Sequence, residues 1–216
     1  FKQGTVRLAC NAQTLKLYDP LHNREGIQPF KTIGPNLIEF NLQLAPGESV
    51  FIEALNKVET SAAWPQAFIA NSSRSLLGEW QIEFLEGKPF VPKAYTTEAL
   101  ESWTLAPDTL AQYFSGTARY TLRFSLPNDQ VGQVARLDLG DLREMAKVKL
   151  NGQDLGAVWA LPFVLDVPTG MLQKENTLIL EVTNLSANRV RYLDRQGTPW
   201  RKFYDINIVD IRYQPF

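Results

Sequence analysis

One cysteine, Cys10, in 216 residues excludes an intramolecular disulfide and any cysteine-built metal site. Histidine is as scarce, with His22 alone. Charge of one sign is missing too: 22 basic residues meet 23 acidic ones, for a net charge of −1. Nucleic acid and anionic membrane both require a concentrated basic field, so neither is expected as a partner. No apolar run approaches the roughly 20 residues that span a bilayer. A basic-then-apolar signal segment is lacking as well. The sequence opens on Phe1-Lys2-Gln3-Gly4 and turns at once to strand-like residues. It reads as cut from a longer protein, with any export signal upstream.

What is present is alternation. Ile38, Phe40, Leu42 and Leu44 share one face of a strand, with Glu39, Asn41 and Gln43 on the other. Tyr120, Leu122, Phe124 and Leu126 repeat the pattern, and so do Leu178, Leu180 and Val182. Period-2 alternation of this kind marks strands of antiparallel sheets buried on one face. No long window keeps a helical period; one short helix is expected from Asp108 to Phe114, ended by Gly116.

Residues 1–58 read as a small β domain of four or five strands, and 59–78 as a linker without periodicity. Within 79–216, strands are expected near 80–86, 118–126, 134–140, 145–150, 153–159, 163–167, 177–184 and 204–213. Eight short antiparallel strands predict a two-sheet β-sandwich of the jelly-roll kind. The long segment 87–117 carries Trp103, Tyr113 and Phe114, and should pack rather than float. Asn151-Gly152 predicts a type I′ hairpin, because both residues accept positive φ. In the last strand, Ile206 and Ile208 are out of phase with Val209, Ile211 and Tyr213, which predicts a bulge or two covered faces.

Tyr113-Phe114-Ser115-Gly116-Thr117-Ala118-Arg119-Tyr120 resembles the start of a strand in galactose-binding-like domains of large bacterial glycosidases. Leu137-Asp138-Leu139-Gly140-Asp141, Leu150-Asn151-Gly152, Gly156, Trp159 and Pro162-Phe163 follow in that family's order. Asn176-Thr177-Leu178, Val182-Thr183-Asn184-Leu185 and Asn188-Arg189 continue it. Together they resemble the C-terminal domain of family 106 α-L-rhamnosidases and the sugar-binding domain of family 2 enzymes, over residues 76 to 190. After Asn188-Arg189 the family's Ile-Gly-Asp type sequence is replaced by Val190-Arg191-Tyr192-Leu193-Asp194. The resemblance implies a periplasmic or secreted protein with catalysis upstream. This chain would then be a C-terminal accessory region that binds carbohydrate or braces the catalytic domain. The alternative is a purely structural or protein-interaction sandwich.

No carboxylate pair stands out for glycoside hydrolysis: Asp138, Asp141, Glu144, Asp154 and Glu181 are scattered over turns and strand surfaces. His22 lies in a turn-like stretch and reads as a solvated loop residue. There is no GxSxG, phosphate loop, Rossmann glycine pattern or HExxH, so no catalytic residue, metal or cofactor is expected. Sugars need aromatic platforms beside directional polar groups. Trp159, Tyr192 and Trp200 offer rings, and Asn188, Arg189 and Asp194 supply polar groups nearby, with Arg191 beside them. These are the candidate ligand residues. Packing at the sandwich edge, or against a missing catalytic domain, is the other use open to the two tryptophans.

Overall fold

The computed structural model describes residues 2–44, 46–64, 73–199, 203–205 and 208–209. The fold is an all-β antiparallel sandwich organised as two compact units. Unit 1 comprises Phe1–Arg74 together with Ala135–Gly140 and Ala160–Asp166, and unit 2 the remainder.

The first unit holds β1 (Lys2–Leu8), β2 (Thr14–Asp19), β3 (Arg24–Ile27), β4 (Lys31–Gly34), β5 (Leu37–Leu44) and β6 (Phe51–Leu55). They form two three-stranded sheets, ordered β1-β5-β4 and β3-β2-β6. Alternation on β2 and β5 turns Leu15, Leu17, Ile38 and Phe40 inward, where they are almost wholly buried with Trp64. Each such side chain contributes roughly 1.5–3 kcal/mol by leaving water.

The second unit is dominated by one six-stranded sheet. Its strands are β7 (Trp80–Lys88), β8 (Tyr95–Thr97), β9 (Ser115–Ser125), β11 (Met145–Leu150), β12 (Gln153–Val158) and β14 (Glu175–Thr183). They run in the order β12-β11-β14-β9-β7-β8. Register aligns the apolar positions into rows across the sheet. Val148 pairs with Leu180, Leu180 with Tyr120 and Tyr120 with Ile82; Leu150, Leu178, Leu122 and Trp80 form the next row. The 87–117 segment covers this face, as its aromatics predict. Phe84 meets Phe114 at 5.0 Å and Trp103 at 5.4 Å between ring centroids, and the Trp103 indole N–H donates to the buried Tyr120 hydroxyl. The short helix is α1 (Thr109–Gln112), capped by Asp108.

The hairpin at Asn151-Gly152 forms as expected, with φ of 52° and 80°. Gly116 of the aromatic-rich motif is required by close approach: a Cβ there would collide with the Glu86 carbonyl. The remaining strands are β10 (Ala135–Asp138), β13 (Val164–Val167), β15 (Phe203–Asp205) and β16 (Ile208–Val209). β10 and β13 pair with each other outside the six-stranded sheet, and residues 135–140 and 160–166 group with unit 1. Most of the expected last strand, including its phase slip, lies outside the described residues.

The first unit has six strands where four or five are expected. In the second unit β8, too short to show a period, and α2 (Ala187–Arg195), between the strands expected at 177–184 and 204–213, are not expected from the sequence. Among the described residues no helix is long and apolar enough to cross a membrane.

Candidate functional site

The candidate site is assembled by register at one end of the six-stranded sheet. Val158 pairs with Ala146, Ala146 with Val182, Val182 with Ala118 and Ala118 with Phe84. Past that row β12, β14 and β7 leave the sheet at Val158, Thr183 and Lys88, and β11 and β9 enter it at Met145 and Ser115. Just beyond it stand Trp159, Leu185 and Phe90, with 62%, 59% and 72% of their surfaces exposed. A large ring left in water at a strand exit is available to a ligand or to another surface.

Helix α2 is fastened to the same end. The Asn184 side chain accepts from the Gly116 N–H and donates to the Phe114 carbonyl, each at 2.9 Å. Ser115 donates to the Ser186 hydroxyl at 3.4 Å. The motif residues 114–116 thus form the mount from which α2 starts. Along the helix, Asn188 and Arg189 each lie about one turn before Tyr192, at the i, i+4 and i, i+3 spacings. Asp194 lies about 200° around the helix from Tyr192.

Tyr192 stacks on Tyr113 with centroids 4.0 Å apart and planes 20° from parallel. The Arg189 guanidinium sits over the Tyr192 ring, 5.3 Å from its centroid. The structure therefore brings Arg189 and Tyr192 together, with Asn188 one turn before Tyr192 on the same helix. Trp159 stands at the same end but directly after β12, which is three strand spacings (about 14 Å) from β9, beside which α2 packs. Trp200 lies outside the described residues.

His22 is not the solvated turn residue that its surroundings suggested. Its side chain is 13% exposed and its Nδ1 lies 2.7 Å from the Asp19 carboxylate, itself 4% exposed. Asp19 also accepts from Arg24 Nε at 3.1 Å and Nη2 at 2.5 Å, and from the His22 N–H at 3.2 Å. Arg24 reaches on to Asp166 at 3.4 Å and Glu48 at 4.0 Å, and Arg136 binds Asp166 at 2.8 Å. Burial would raise the Asp19 pKa, but the hydrogen bonds from Arg24 and His22 outweigh it and hold the carboxyl below its ordinary value. A carboxylate so held is a poor proton donor near neutrality, so this cluster is built to anchor and not to act as a general acid.

The signal for this cluster was in the sequence as an acid, a histidine and an arginine within six residues. Its partners Glu48 and Asp166 lie too far along the chain to leave a local signal.

The scattered carboxylates have local duties. Asp138 and Asp154 close turns by accepting from Gly140 and Gly156 at 2.8 and 2.7 Å. Glu181 binds Arg119 and Asp141 binds Arg143, both at 2.8 Å. Among the described residues no group of three or more histidine, cysteine or acidic side chains is placed to hold a metal ion. A shallow cleft of about 440 Å³ lies beside Tyr95, Lys93, Pro107 and Asp108. Both Asp108 oxygens are already used there, by the Leu110 and Lys93 N–H groups at 2.9 and 3.3 Å.

No protein-family model matches the chain. Over 117 residues, 53% of its length, it is 37% identical to a Formosa agariphila protein described as "Putative beta-glucuronidase", of which it covers 10%. A solved rhamnosidase from Novosphingobium sp. PP1Y shares the fold, with a TM-score of 0.71 over 88% of this chain and 18% of that one, at 24% identity. A Ruminococcus gnavus β-glucuronidase aligns over 51% of the chain and 21% of its own at a TM-score of 0.42 and 17% identity. The chain is similar to part of these glycoside hydrolases and spans a small share of their length, a tenth of the Formosa agariphila protein and 18% of the rhamnosidase.

Proposed function

We propose that the chain is a non-catalytic accessory region of a glycoside hydrolase, a galactose-binding-like jelly roll with a small β unit, whose sheet end contacts carbohydrate. One observation carries the reading: 37% identity to a protein described as a β-glucuronidase, of which the match covers only a tenth. Catalysis is assigned to the remainder of such a polypeptide. The scattered carboxylates are consistent with this, since Asp138 and Asp154 are committed to turns and Asp141 and Glu181 to arginines. Contact with sugar is supported by the exposed Trp159 indole and by the polar side chains of α2 at the same end. A periplasmic or secreted location goes with this reading.

A second reading is favoured by Phe90 and Leu185, which leave the same sheet end exposed. In that reading the end braces the catalytic domain of the same polypeptide, since a cut interface exposes what it once buried. The purified chain, assayed with aryl glycosides including the rhamnoside and the glucuronide, should show no turnover. Activity that survives repurification and disappears on mutation of a carboxylate would defeat the accessory reading. Titration with mono- and oligosaccharides, repeated on Trp159→Ala, separates the two roles: binding weakened by the mutation favours sugar contact, and no binding favours bracing.

A further inference from the structure

Tyr192 was expected to serve as a sugar platform, but its ring is otherwise engaged. Tyr113 lies flat against it at 4.0 Å, and the Arg189 guanidinium lies over it at 5.3 Å. A ring occupied in this way serves to hold the arginine. Among the described residues, that guanidinium lies against the Tyr192 ring and has no carboxylate or carbonyl bound to it.

Stacking on an aromatic face leaves the N–H edge of a guanidinium pointing outward in its own plane, in the fork that matches a carboxylate. The stack also removes in advance much of the side-chain freedom that binding would otherwise cost. The local charge agrees. Arg191 and Arg195 are exposed on the same helix, its first turn carries no acid, and its one carboxylate, Asp194, lies on another side. Asn188 adjoins Arg189 and offers both a donor and an acceptor, which a ring hydroxyl can use and a bare anion cannot.

We propose that Arg189, propped on Tyr192 and Tyr113, recognises the carboxylate of an acidic sugar, with Asn188 taking a neighbouring hydroxyl. The inference rests on the carbohydrate-contacting reading and narrows it to uronic-acid-bearing saccharides.

The test is an NMR titration of the whole chain with D-glucuronate, D-glucose and acetate at matched ionic strength. Glucuronate should shift the amides of α2 and of the Tyr113 segment, with glucose and acetate binding at least about tenfold more weakly. Arg189→Ala should weaken glucuronate by about tenfold or more, with circular dichroism and thermal midpoint unchanged because the side chain is partly exposed. Arg189→Lys keeps the charge but loses the fork, and should weaken it severalfold. Equal binding of glucose and glucuronate, or glucuronate binding indifferent to both variants, overturns the inference while the carbohydrate reading stands. Acetate binding as tightly as glucuronate reduces the site to a simple anion contact and also overturns it. Failure of every sugar to bind removes both this inference and sugar contact, and leaves bracing.

Discussion

Removing the Arg24 side chain should destabilise the first unit far more than its partial exposure suggests. Arg24 is 25% exposed, but the carboxylate it serves on Asp19 is only 4% exposed. In Arg24→Ala, Asp19 loses donors at 3.1 and 2.5 Å and keeps only the two from His22. Asp166 is less affected, because Arg136 still binds it at 2.8 Å. Breaking a buried pair on one side costs about 3–5 kcal/mol. The surviving His22 contacts and the part-exposed arginine place the expected loss near about 2–3 kcal/mol. With a urea m-value of about 2 kcal/mol/M, the midpoint of the first unit's transition should fall by roughly 1–1.5 M.

Adding Asp19→Asn removes the stranded charge, so the double variant should be more stable than the sum of the two single losses. Acid supplies an independent check. Because Asp19 titrates below its ordinary value when folded, its contribution is complete above about pH 4 and is lost as pH falls through the folded pKa. The gap between wild type and Arg24→Ala should therefore narrow in that acid range. A midpoint shift under about 0.3 M, or strict additivity in the double variant, would refute the buried-anchor argument.

Trp103→Phe leaves the buried Tyr120 hydroxyl without its donor and should cost about 1–3 kcal/mol in urea unfolding, with the second unit's transition alone affected. Burial pushes the Tyr120 phenol up to about 12, against the Trp103 hydrogen bond that pulls it down. Its neutral form is thus favoured by folding, and stability from this group should be full below pH ~10 and lost between there and pH ~12; phenolate absorbance during alkaline titration reads it directly. Gly116→Ala should lower the thermal midpoint by several degrees or prevent folding, because the added carbon meets the Glu86 carbonyl, which cannot move without distorting the β7–β9 ladder. Trp159→Ala, by contrast, should change stability by less than about 0.5 kcal/mol, so any change in sugar binding reads the indole and not the fold.

Strands were the most legible part of the sequence, because burial on one face writes a period of two into the residues themselves. β11 and β12 fall where Val148, Leu150 and the Asn151-Gly152 turn put them, within a residue. Helix α2 was hidden for the opposite reason. Arg191, Asp194 and Arg195 give it no sustained apolar stripe, and none of its residues is fully buried. It is held instead by the Asn184 bonds and the Tyr113–Tyr192 stack, tertiary contacts that leave no local pattern. The candidate residues Asn188, Arg189 and Tyr192 were found from their chemistry, but the helix changed their meaning: on a loop Tyr192 would be a platform, and in a stack it is a support. His22 shows the limit from the other side. Its carboxylate partner is three residues away and readable, whereas Asp166, which completes the cluster, is 142 residues from Arg24.

That last separation bears on how the protein is made. The ribosome delivers the six strands of the first unit early, but residues 135–140 and 160–166, which also belong to it, come after three and five strands of the large sheet, respectively. At synthesis rates of roughly 5–20 residues per second, Arg24 waits on the order of 7–28 s for Asp166 to be polymerised. During that interval Asp19 has its arginine, but the Asp166 link is still missing. The small unit is therefore first in sequence and late to finish, and its last ion pairs close only after 142 further residues have followed Arg24 off the ribosome.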